Sequence, residues 1–534
     1  MCYESDTNIV ESVSTVFPLF FFLVAALVCI TTMTRMVDEE RTQIGTLKAL
    51  GFSDNAIMGN YLLYALIASL AGCAAGFLLG SWVFPKVLWI VYDIMYDFYR
   101  PIDYVLDWKL AGVSVAMYLV CALLATWLAC KAELHEPAAS LIRPKAPKPG
   151  KRIWLEHIPP VWNRLKFLHK VSARNVFRYK KRLFMMVLGI GGCMALLLTG
   201  LGLGDSIQNI VDDQFDEISV YDIGVTYRKD VTAADRDALP DGYTASFLHE
   251  STTDVYAGSR MKSAHLVAPS ENTAEYMILK TENGEIVPMP QAGEAVLNTR
   301  LAEDLGVEIG DSVTLYDEDH RSMELQITGT YVNYIYNYIY VSPVSCEAAW
   351  GKAPEIRTAY VNVPEGCDLH QSAAILTALD NVGSVSVNAD MRARVGGFLK
   401  NLNYVVLLVI FCAAALAFIV LYNLTNINIS ERVREIATLK VLGFYAPETS
   451  AYVFRENMIL TLIGALVGVP LGILLHRFVM SQIRIDMITF HVRIAPKSYL
   501  IAAVLCLVFA LIVAFFMRLR IRRINMAESL KAAE

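Results

Sequence analysis

Few side chains in these 534 residues are spaced for catalysis. Asp317-Glu-Asp-His320 sets four side chains able to ligate a metal in a row, but a solvated hairpin turn explains them better. Cys346 and Cys367 lie outside the apolar stretches at a separation compatible with a disulfide, which spacing alone does not establish. No Gly-x-x-x-x-Gly-Lys-Ser/Thr loop, His-Glu-x-x-His helix or paired Cys-x-x-Cys is present, and the nine histidines are scattered. The chain is therefore expected to bind neither metal nor ATP phosphates itself and to contain no catalytic residue. Arg455 and Glu456, at the mouth of an apolar stretch, read as a snorkelling pair. An energy source has to come from another subunit.

What recurs instead is a segment. Residues 39–52 align without gaps to residues 431–444, with eight of fourteen positions identical, including Thr-Leu-Lys-x-Leu-Gly-Phe. In the first copy Ile44, Leu47 and Leu50 recur every three residues, as do Ile436, Leu439 and Leu442 in the second, which gives one apolar stripe on a short helix. Lys48 and Lys440 fall in its last turn, where a cation is favourable, and Gly51 and Gly443 stand where a helix ends in left-handed geometry. Such a helix either lies in the headgroup interface or inserts its ridge into a groove of a partner in the cytoplasm. Two equivalent copies suit a two-fold partner. The register continues, since Gly72, Gly76 and Gly80 match Gly464, Gly468 and Gly472 on one helix face that permits close helix packing.

These segments are positioned by apolar windows. Hydrophobic residues make up 55% of the chain and charged residues 18%, so a soluble enzyme and a disordered chain are both excluded. Seven windows reach the length that crosses a bilayer: residues 16–33, 56–82, 110–130, 183–203, 404–424, 453–475 and 499–517. Residues 131–182 hold 14 basic and three acidic side chains, which places that linker in the cytoplasm and fixes the other loops by counting crossings. Residues 35–55 and 425–452 then lie inside, and 204–402 outside. Charge agrees, because residues 205–400 carry 31 acidic against 13 basic side chains and the remainder 21 against 33. From residue 294 onward strand signals are clear: 295–298, a short helix at 300–305, strands at 312–316 and 323–328, and an aromatic run from Tyr331 to Tyr340. That run reads as half core and half edge strand; a partner-binding strand and a ligand platform are the alternatives. The expected fold is a polytopic α-helical membrane protein of about seven transmembrane helices with one large α+β extracytoplasmic domain. Its divisions fall at 1–143, 144–182, 183–204, 205–400 and 401–534.

The repeated segment and its spans resemble the FtsX/MacB-like ABC transporter permeases of the mechanotransmission type. The resemblance assigns to ATPase coupling Glu39, Ile44, Thr46, Leu47, Lys48, Leu50 and Gly51, and in the second copy Glu431, Glu435, Ile436, Thr438, Leu439, Lys440, Leu442 and Gly443. Residues 172–182 look like the basic helix before a module's first span, and 183–517 are similar to one complete four-span module. Residues 1–143 resemble only the last three spans of a preceding module, as in a fragment of a longer permease. The resemblance implies a multi-pass protein of a bacterial plasma membrane and a cytoplasmic ATPase pair that holds ATP and Mg. It implies work on an extracytoplasmic peptide, lipid or protein, and no nucleic acid. A second reading in the same family is a non-transporting regulator of a wall hydrolase, or a sensor of extracellular peptides.

Overall fold

The structure, a computed structural model, describes residues 2–95, 105–142, 156, 170, 174, 180–270, 272–316, 321–431, 433–483, 489, 490 and 492–522. Most of the basic linker and its juxtamembrane helix, and the Asp317–His320 turn, lie outside the described residues. The front of the chain forms α1 (Cys2–Glu39), α2 (Arg41–Ala49), α3 (Asp54–Met95), α4 (Trp108–Leu134) and α5 (Ala138–Ile142). Next come α6 (Lys180–Glu217), β1 (Ile223–Tyr227), α7 (Ala233–Asp237), β2 (Thr244–Ala257) and β3 (Arg260–Ala268). They are followed by β4 (Glu294–Asn298), α8 (Thr299–Leu305), β5 (Ser312–Tyr316), β6 (Ser322–Tyr331), β7 (Tyr338–Val341) and α9 (Pro343–Trp350). The rest is β8 (Thr358–Asn362), α10 (Leu369–Thr377), β9 (Val382–Val387), α11 (Asn388–Glu431), α12 (Val433–Val441), α13 (Ala446–Gln482) and α14 (Pro496–Arg522). Two compact units result: Asp205–Asn403 with Met1–Ile9 and Ile483–Arg493, and all the remaining chain.

The helical unit holds seven spans of membrane length among the described residues, one in each of the seven expected windows. Its centre is α6, whose apolar window is 67% buried against 11% for that of α3. Glycines make the centre possible. A Cβ added at Gly189 or Gly200 would meet Leu424 or Ile410 of α11 at 2.8 and 2.9 Å, and one at Gly192 would meet Val24 of α1 at 3.3 Å. Without a water-driven hydrophobic effect between helices, such close backbone approach is what packs them. Glu456 is wholly buried in α13, beside the buried Asn457, to which Asn428 of α11 donates a hydrogen bond. A carboxylate in that position is not snorkelling to water, which corrects the reading of the Arg455–Glu456 pair.

The second unit is built on one long strand. β2 pairs with β3 and β5 at its far end and with β8 at its near end. The far half belongs to a closed ring of six strands, β2-β3-β7-β4-β6-β5, filled by Val255, Leu266, Leu297, Val313, Leu325, Ile339 and neighbours. Closure removes the exposed edges that a small sheet would otherwise present. The near half belongs to the four-stranded antiparallel sheet β2-β8-β1-β9, whose inner face packs Val225, Ala359 and Val382 against Leu376 of α10. The aromatic run is not half an edge strand. Its last part, β7, lies inside the ring between β3 and β4, and Tyr331, Tyr334 and Tyr340 are buried. Cys346 and Cys367 are both free: Cys346 is buried against the ring's core, which pushes its thiol up to about 11, whereas Cys367 is exposed.

Candidate functional site

Both copies of the repeated segment fold to the same short helix and the same turn. Phe52 N–H donates to Leu47 O at 3.1 Å and Gly51 N–H to Lys48 O at 3.2 Å; in the second copy Phe444 donates to Leu439 O at 3.2 Å and Gly443 to Lys440 O at 3.1 Å. This is the paired bond pattern of a left-handed helix C-terminus, and Gly51 and Gly443 share a φ of 91°. Each lysine then turns back on the last helix of its own copy. Lys48 Nζ donates to Leu134 O at 2.5 Å at the end of α4, and Lys440 Nζ to Ile521 O at 2.9 Å at the end of α14. A cation on the unpaired carbonyls of a helix C-terminus satisfies acceptors that the helix cannot.

The apolar stripe divides along its length. Ile44 and Ile436 are buried within the chain, Leu47 and Leu439 are half-buried, and Leu50 and Leu442 are 71% and 69% exposed. In the first copy Ile44 packs with Val37, Ile57, Tyr61, Leu134 and Leu141. Only the end of the ridge is therefore free to meet a partner: Leu50, Gly51 and Phe52, and Leu442, Gly443 and Phe444. Thr46 and Thr438 face solvent on the same helices, and Glu39 pairs with Arg35 at 2.6 Å. The side chains of Glu431 and Glu435 lie outside the described residues.

The glycines behave differently in the two copies. A Cβ at Gly464 would lie 2.7 Å from Ile190 Cβ, one at Gly468 2.6 Å from Met194 Cβ and 2.7 Å from Gly191 O, and one at Gly472 2.9 Å from Leu198, all on α6. At Gly72 and Gly76 nothing described lies within 4 Å, and Gly80 meets only Phe84 of its own helix. The two stripes do not pack on one another.

Several positions that hold this arrangement were not singled out by spacing. Arg41 is buried at the start of α2 and forms ion pairs with Glu133, at 3.2 Å, and with Glu136. Tyr61 donates to Glu40 at 2.7 Å. Gly45 receives α5 so closely that a Cβ would stand 2.8 Å from Leu141 Cβ. A buried arginine facing two acidic residues three apart at the end of the third span was a readable signal. In the other unit, Arg392 of α11 forks onto Asp216 and reaches Asp212 at 2.8 Å, both on α6. The buried Gln214 of α6 donates to Ser219 and Asn333 at 3.0 Å and accepts from Tyr334 N–H at 2.9 Å.

Comparison with known proteins agrees with this division. Residues 15–136 and, separately, 407–526 match the family described as FtsX-like permease C-terminal, and residues 183–379 match the MacB-like periplasmic core domain. Among solved structures, the periplasmic region of MacB from Actinobacillus actinomycetemcomitans is similar at 11% identity and a TM-score of 0.26, over 35% of this chain and 97% of that one. The extracellular domain of the noncanonic ABC-type transporter YknZ from Gram-positive bacteria is similar at 11% identity and a TM-score of 0.24, over 31% and 98%. Among curated proteins, no sequence matches the chain.

Proposed function

The chain belongs to the FtsX/MacB-like ABC transporter permeases, multi-pass proteins of the cell membrane with an extracytoplasmic domain, and from that premise we propose that its two repeated turns are the docking points for a cytoplasmic ATPase pair. ATP and Mg are held on that partner. ATP-driven closure of the pair moves α2 and α12. Lys48 and Lys440 tie those helices to the ends of α4 and α14, so the movement passes into the spans. α11 and α6 are continuous from the apolar spans into the residues of the extracytoplasmic unit, and a helix transmits displacement along its axis. The work is done at that domain, as export of a substrate there.

The observation that carries this reading is the pair of exposed Leu-Gly-Phe tips, with matching hydrogen bonds, at the end of an apolar stripe whose first residue is buried. A lone interfacial helix would need no such duplication. Coexpression with a candidate ABC ATPase from the same cell tests the reading. The double variant Leu50→Glu, Leu442→Glu should keep its thermal unfolding and lose about tenfold or more in ATPase co-purification, since a charge placed on a docking anchor costs at least 1.4 kcal/mol. Undiminished co-purification would overturn it.

A further inference from the structure

On the face of its strands turned away from the ring's core, the extracytoplasmic unit carries a carboxylate ringed by aromatic side chains. Strand register puts them there. Glu250 is opposite Val267, His265 is opposite both Thr252 and Tyr338, and Tyr360 is opposite Ser246, so all four side chains share the face turned away from the core residues Val255, Leu266 and Ile339. Tyr360 Oη donates to Glu250 Oε2 at 3.4 Å, and Glu250 Oε1 lies 3.6 Å from His265 Nδ1. Tyr221 stacks on Tyr360 with ring centres 4.3 Å apart and planes 7° from parallel, and Tyr338 stacks on His265 at 4.9 Å.

Two features set this cluster apart from an ordinary polar core. First, no charged basic side chain is paired with the carboxyl. Among the described residues no lysine or arginine lies within ion-pairing distance of Glu250, and burial raises its carboxyl above the usual range. Burial also lowers the imidazole of His265, so at neutral pH that ring supplies no compensating charge. Second, two of its polar side chains still reach solvent, although Tyr360 beside them is buried. The side chains of Glu250 and His265 keep 22% and 34% of their surface accessible. At its rim stands Tyr336, exposed and 5.5 Å from His265. Its φ of 59° is left-handed, a conformation rare for a bulky residue, and Asn333 Nδ2 fixes that turn by donating to Ile335 O and Tyr336 O. A partly desolvated carboxylate at the foot of aromatic faces is the chemistry that receives an organic cation, because ring quadrupole and carboxylate both attract it while the rings displace its water.

We propose that Glu250, with Tyr221, His265, Tyr336, Tyr338 and Tyr360, forms a binding site for an ammonium or guanidinium group presented from outside the membrane. The group enters over Tyr336 and Tyr338 and pairs with Glu250. Its source is either a free small cation or a basic side chain of a peptide, and the chemistry at the site is the same.

The test uses the full chain in nanodiscs, titrated calorimetrically with tetramethylammonium, with N-acetyl-arginine amide and with a hexa-arginine peptide. Saturable binding is expected for at least one probe, weakened about tenfold or more by Glu250→Gln and several-fold by Tyr338→Leu. Glu285→Gln, on an exposed turn, should change nothing. Binding of the peptide alone identifies a basic side chain in a polypeptide, and equal occupancy by the small probes identifies a free cation. If Glu250→Gln fails to fold, Tyr360→Phe removes only the hydroxyl that orients the carboxylate and should still weaken binding. Absence of saturable binding to all three probes, or binding that neither Glu250→Gln nor Tyr360→Phe alters, would overturn the proposal.

Discussion

The front and rear copies of the repeat have nearly superimposable turns and opposite surroundings. Bonds that close the turn differ by no more than about 0.1 Å between copies, as in Leu50 to Thr46 O and Leu442 to Thr438 O, both at 3.0 Å. Forty residues or fewer further along, the glycine face of α13 is filled by α6 while the same face of α3 meets no other helix among the described residues. The front copy is nonetheless attached, through α1: Asn423 of α11 donates to Thr32 at 2.8 Å, and Phe20 meets Phe478 edge-on. The difference separates two kinds of sequence information. A turn is closed by its own residues and comes out the same wherever it is placed. A glycine stripe only removes side chains, and what occupies the space depends on which helix is at hand.

The largest effect expected from this contrast is at Gly468. Leucine there would drive atoms into Met194 and the Gly191 carbonyl, and overpacking of that kind costs about 3 kcal/mol. Thermal unfolding of the purified protein should fall steeply, with loss of folded yield. Leucine at the equivalent Gly76 should leave the same measurement within about 0.5 kcal/mol, as for other open surface sites. Equal damage at Gly76 would end the contrast, since it would mean that the front face is also packed.

A second expected effect belongs to the front copy alone. Arg41 stands where the rear copy has Val433, and its ion pairs to Glu133 and Glu136 tie α2 to the end of α4. Arg41→Val removes the ion pairs to Glu133 and Glu136 and should cost about 2 kcal/mol in thermal or denaturant unfolding. Val433→Arg should give no matching gain, because the end of α14 is already basic at Arg518, Arg520 and Arg522. A stabilising Val433→Arg would show that the rear copy has a hidden acidic partner.

How far the sequence could be read follows the same division between local and non-local causes. The seven spans were legible because length and apolarity alone decide them, and each expected window lies in a long helix. β5 at 312–316, the helix now called α8 and the alternating β6 were legible from period-two patterning and turn residues. β2 was not, since its fourteen residues are rich in Ser and Thr and change partners midway from β8 to β3 and β5. Closure of the ring depends on pairings between strands far apart in sequence, which no local pattern encodes. The aromatic run was seen but not its break: a left-handed Tyr336 interrupts what reads as one strand. At the coupling segment, the stripe of Ile44, Leu47 and Leu50 was legible and its direction was not. Periodicity shows that one face is apolar without showing whether the chain or a partner covers it.

The smallest expected effect is the one that tests the sameness of the two copies. Gly51 and Gly443 each have a φ of 91°, where an added Cβ crowds its own backbone, and no neighbouring atom lies within 4 Å of either added Cβ. Substitution by alanine therefore isolates the backbone cost from packing. That cost is about 1 kcal/mol for a non-glycine residue held left-handed, and asparagine, which tolerates this region better, should cost less. Because the turn bonds and the exposure match, Gly51→Ala and Gly443→Ala should destabilise equally, and their double variant should show the sum. Unequal losses would mean that one turn is restrained by something outside itself. The shortfall would then lie in the copy whose turn relaxes, with φ moving to negative values and the Phe52 or Phe444 N–H bond lost. Amide hydrogen exchange at Phe52 and Phe444 reads that directly: equal, modest acceleration in both variants keeps the copies equivalent, and acceleration in one alone breaks the equivalence.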